Sequence, residues 1–87
     1  MREVSTTTKV ANAVCELTGR GWMKFNDRLK DGRRSLKVFG WTYQDYQQAA
    51  KLLRVMGCEV EVKDFEQYSS RGGQWFTQVR LHVKEPA

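Results

Sequence analysis

The chain repeats one short pattern of elements. A stretch with helical apolar spacing ends at glycine, and two alternating stretches follow around a loop that holds Gly and Arg; then the pattern recurs. A helix with one apolar stripe and a strand with one apolar face each need a second layer to cover them. The order helix, hairpin, helix, hairpin therefore predicts an α+β domain. It is read as a duplicated αββ unit (αββαββ), with a four-stranded antiparallel sheet and both helices on one face. The sole proline is Pro86, so none interrupts the earlier elements.

In the first half, Val10, Ala13, Val14 and Leu17 recur at helical spacing, "STTT" supplies a cap, and Gly19 and Gly21 stop the helix. Met23, Phe25 and Leu29 are expected to face inward from the first strand. Asp31-Gly32 is hairpin chemistry, and Leu36 and Val38 face inward on the return. In the second half, Thr42 and Asp45 form a capping-box pair with Asp in place of the usual Glu. Tyr46, Ala49, Ala50 and Leu53 make the stripe, widened by Leu52 and Met56, and Gly57 ends it. Cys58, Val60 and Val62 face inward from the third strand, "YSSRGGQ" is a loop, and Val79, Leu81 and Val83 face inward from the fourth. Arg2–Val4 is a candidate edge strand. Residues 1–87 read as one domain, with short flexible ends at 1–5 and 85–87.

Parity then names an outer sheet face. It comprises Trp22, Lys24, Asn26 and Arg28; Lys37, Phe39 and Trp41; Glu59, Glu61 and Lys63; and Phe76, Gln78, Arg80, His82 and Lys84. A solvated sheet face is normally polar. Here aromatics stand among cations, as on sheets that stack single-stranded bases and hold their phosphates. "QWFTQVRLHV" lacks the Gly and paired aromatics of an RNP motif, so the parallel is one of surface chemistry. Glu59 and Glu61 run against a uniformly basic surface. Trp41, just before the Thr42 cap, can instead staple onto Tyr46. Trp75 has core parity.

Fifteen Lys and Arg against ten Asp and Glu leave a net charge of +5, which favours a polyanionic partner. Lys30, Arg33, Arg34 and Lys37 gather around one hairpin turn, and Arg71 sits beside Gly72 and Gly73 in the other. The leading expectation is a small non-catalytic nucleic-acid-binding module. Its contacts are Trp22, Lys24, Arg28, Arg33, Arg34, Lys37, Phe39, Arg71, Phe76 and Arg80. The alternative is a protein-interaction module, a small inhibitor or adaptor of phage or mobile-element type, docking on an acidic protein surface. A homodimer that buries the face is a further possibility.

Catalysis has no visible signature. His82 lacks a sequence partner, Asp64 and Glu66 share a parity common to surface carboxylates, and no nucleophile motif or metal-ligand spacing occurs. The expectation is no enzyme, no cofactor and no metal. Neither a signal-peptide h-region nor a membrane-length apolar run is present, and Cys15 and Cys58 are isolated. A cytoplasmic protein with reduced thiols and no membrane contact is expected.

Overall fold

The computed structural model describes residues 5–86, apart from the side chains of Phe65, Gln67, Phe76 and Thr77. Six elements follow in order: α1 (Thr6–Thr18), β1 (Met23–Arg28), β2 (Arg34–Phe39), α2 (Tyr43–Val55), β3 (Glu59–Ser69) and β4 (Gln74–Lys84). The strands make one antiparallel sheet in the order β1-β2-β4-β3. Val10, Ala11 and Val14 of α1 and Tyr46, Ala49, Ala50 and Leu53 of α2 share a buried cluster with Leu36, Val38, Leu81 and Val83. Both helices thus cover one face, and the α+β expectation of four antiparallel strands and two helices holds. Duplication of the αββ unit does not follow. The first hairpin has six-residue strands and the second eleven-residue strands, and the strand order does not by itself establish a repeat. The candidate strand at Arg2–Val4 lies outside the described residues.

Ser5 caps α1, its hydroxyl accepting from the Thr8 N–H at 3.2 Å. The buried line is Thr7, Val10, Ala11 and Val14, which corrects the expected stripe, since Ala13 and Leu17 are exposed. Cys15 takes the inward place in the last turn. It packs so closely on Gly21 that a Cβ there would stand 2.6 Å from Sγ. The Thr6 N–H donates to Glu85 Oε1 at 3.0 Å, and Glu85 pairs with Arg34 at 3.4 Å. Ser5 and Glu85 are therefore bonded to the body, although both fall in stretches expected to be flexible ends.

Around α2 the short-range signals hold. Thr42 Oγ1 accepts from the Asp45 N–H at 3.2 Å, and Asp45 Oδ2 accepts from the Thr42 N–H at 2.9 Å. Trp41 is buried and meets Tyr46 edge-on, with ring centroids 5.1 Å apart. That removes it from the outer face. Tyr46, Ala49, Ala50 and Leu53 are buried as expected, whereas Met56, beyond the last helical residue, is exposed. Each fully buried Leu or Val contributes about 1.5–3 kcal/mol.

The first strand runs in the opposite phase to expectation. Leu29 N–H donates to Arg33 C=O at 2.7 Å, and Gly32 N–H to Leu29 C=O at 3.0 Å. The loop is therefore three residues, Lys30, Asp31 and Gly32, with Gly32 at φ +88° where glycine is favoured. A two-residue Asp31-Gly32 loop would set Phe25 beside Val38 on the helix side. The extra residue instead pairs Phe25 with Lys37 and Asn26 with Leu36, and moves every β1 side chain to the other face. Asn26 now points to the helices, where its Nδ2 donates to Thr8 Oγ1 at 2.8 Å and to Ser5 Oγ at 3.2 Å.

Candidate functional site

On the face away from the helices, Trp22 stacks on Phe39 at 5.2 Å between centroids and 21° between planes. Phe25 meets Phe39 edge-on at 5.6 Å. Lys37 Nζ stands 4.7 Å from the Phe39 centroid, a cation–π contact. Beside these rings is a hollow of about 240 Å³, lined by Phe25, Asp27, Ser35, Lys37, Phe39 and Arg80. Burial, and then the nearby Arg80 charge, hold the Lys37 ammonium below its ordinary pKa. Two cations brought together on one sheet face favour an anion between them.

Four expected contacts therefore converge: Trp22, Lys37, Phe39 and Arg80. Others do not. Lys24 and Arg28 stand opposite Val38 and Arg34, on the helix side of β1, because of the three-residue loop. Arg34 is on that side too, where it meets Glu85. Arg33 is engaged by Asp31 at 2.7 Å and by Glu61 at 3.5 Å. Its hydrogen bonds, backbone first, lower the Asp31 pKa. Arg71 is exposed in the β3–β4 loop. The Phe76 backbone lies opposite Gln67 in β4, and its side chain is outside the described residues. Phe25, Met23 and Asp27 belong to the face and were missed, for the same reason of strand phase. Glu61 does face outward, but Lys63 at 2.8 Å and Arg33 offset it. Burial is the first cause that lowers the His82 pKa, followed by Arg33 and Lys63.

Two further features flank this face. The β2–β4 pairing ends at Leu36–Leu81, and the register would bring Lys37 to Arg80 and then Val38 to Val79. Tyr46 takes that place. Its hydroxyl accepts from Val38 N–H at 3.0 Å and donates to Val38 C=O at 2.9 Å. Beyond this wedge the strands diverge around a cleft of about 860 Å³, whose walls include Phe39, Tyr43, Tyr46, Asp64, Glu66 and Gln78. The β3–β4 hairpin continues alone to Ser69–Gln74, longer than its "YSSRGGQ" loop suggested. Near its end Tyr68 and Trp75 pair across the strands at 5.4 Å. Trp75 has core parity as expected, yet it is 68% exposed because the ribbon runs past the helices.

Among the described residues no helix is long and apolar enough to cross a membrane, and no group of three or more His, Cys, Asp or Glu side chains is arranged to hold a metal ion. Comparison with protein-family models, curated proteins and solved structures gives no match.

Proposed function

We propose that the protein is a small non-catalytic module that binds single-stranded nucleic acid on the sheet face opposite the helices. The observation that carries this is the Trp22–Phe39–Phe25 cluster, with Lys37 and Arg80 in the adjoining hollow. Trp22 is 71% exposed although one of its sides is stacked on Phe39. It is the stacking platform, and Phe39 is its support. A base stacked on such a ring contributes about 1–3 kcal/mol. Lys37 and Arg80 hold phosphates, while Arg33, already bound to two carboxylates, adds little.

The test is a titration of a labelled pyrimidine tract, as DNA and as RNA, at several salt concentrations. Trp22→Ala should weaken binding by about tenfold or more. Each phosphate neutralised should contribute about −0.7 to the slope of log K against log salt, so Lys37→Ala should flatten the slope more than Arg33→Ala. Binding no tighter than about 10 µM at low salt rules the assignment out.

Protein docking is the second reading, favoured by the ribbon end. Tyr68, Arg71 and Trp75, with Ser69, Ser70, Gly72 and Gly73, match the aromatic, arginine and small-residue chemistry of protein-recognition loops. Between Asp64 and Val79, Arg71 is the one cation against Asp64 and Glu66, unlike the hollow on the sheet. The repeated element order likewise supports, as a proposal, descent of the two halves from one αββ unit.

A further inference from the structure

Asp27 is an unexpected residue on a face that holds phosphate-binding cations. It stands opposite Ser35 on β1, in the hollow with Phe25, Lys37, Phe39 and Arg80. Its carboxylate is exposed and forms no hydrogen bond or ion pair with another described residue. Glu61, two strands away, is by contrast engaged by Lys63 and Arg33. A carboxylate without a partner repels the backbone of any strand. It lowers affinity for all of them unless it accepts hydrogen bonds from something a strand carries.

The N–H edge of a base is such a donor. Resting on the assignment of this face to single strands, we infer that the hollow is a base-reading pocket in which Asp27 selects guanine. At about 240 Å³ it is smaller than a drug-sized site of about 300–1,000 Å³. Guanine presents N1–H and N2–H side by side, and the two carboxylate oxygens accept both. Inosine keeps only the N1–H. Adenine and cytosine set a ring-nitrogen lone pair beside their amino group, and that lone pair faces a carboxylate oxygen unfavourably. Uracil and thymine offer one N–H between two carbonyls. Phe25 and Phe39 form the apolar wall, and Lys37 and Arg80 take the flanking phosphates.

The experiment uses the full chain and a labelled pyrimidine tract, DNA and RNA in parallel, with one central base varied among guanine, inosine, adenine and pyrimidine. Guanine should bind about tenfold more tightly than adenine or pyrimidine, with inosine between them. Asp27→Asn should bring all tracts to within about twofold of one another. It should not weaken the guanine-free tract, because it removes a negative charge from a polyanion surface. Equal affinities across the series, or a guanine preference that survives in Asp27→Asn, overturn the base-reading pocket and leave the strand-binding face standing. If no tract binds at all, the strand-binding face fails and the pocket with it.

Discussion

The two faces of the sheet bury different kinds of apolar residue to different depths. Toward the helices, Leu36, Val38, Leu81 and Val83 are no more than 2% exposed. On the other side Met23 and Phe25 remain 44% and 42% exposed, and Trp22 more so. Apolar content therefore does not decide which face becomes the core. Coverage by a second layer does, and α1 and α2 supply it on one side. The outer aromatics hide part of their surface on each other and leave the rest exposed. Substitutions on the two faces should accordingly divide into effects on stability and effects on binding.

Leu53→Ala, in the fully buried stripe of α2, should have the largest effect. It should cost about 2–5 kcal/mol in urea melts, and a loss below about 0.5 kcal/mol would break the assignment of that face as the core. A smaller loss is expected where α2 begins. Arg20 donates two hydrogen bonds of 2.7 Å to Asp45. With the Thr42 N–H adding to this, the Asp45 pKa falls to about 2. A carboxyl depressed in the folded state stabilises above its unfolded pKa of about 3.9 and loses that contribution as pH falls through the folded value. Arg20→Ala should thus melt at lower urea than the parent at neutral pH, and the gap should close on going from about pH 4 to about pH 2. A gap that persists in acid would show that Arg20 acts by packing. The smallest change in stability belongs to the outer face. Phe25→Ala should stay within about 1.5 kcal/mol of the parent while weakening strand binding. Lys24→Ala, one residue away on the helix side, should have little effect on either. Unfolding of Phe25→Ala would erase the distinction between the faces.

Much of the helix side was legible in the order of residues because its signals are short in range. The Thr42/Asp45 box, the Trp41 staple, Gly57 and the stripe from Tyr46 to Leu53 each involve neighbours within a turn or two. The phase of β1 was not legible. Asp31-Gly32 serves loops of two or three residues, and a single residue carries Phe25 and Asp27 to the outer face and Lys24 and Arg28 away from it. The aliphatic alternation of β2 and β4 resolved their faces, but nothing local fixes the partner of Arg20 twenty-five residues on. Nor does the run "YSSRGGQ" reveal that strand pairing continues to Ser69.

The Tyr46 wedge also determines which amides exchange with solvent together. Val38 lies in a strand, but its N–H is held by a helix residue, so it stays protected for as long as the Tyr46 hydroxyl remains seated on β2. Past Val79, β4 pairs with β3 alone among the described residues, so this ribbon should open by fraying from its loop. Along β4, exchange should therefore slow from Trp75 toward Leu81, and the slow end should report the same opening event as the amide of Val38.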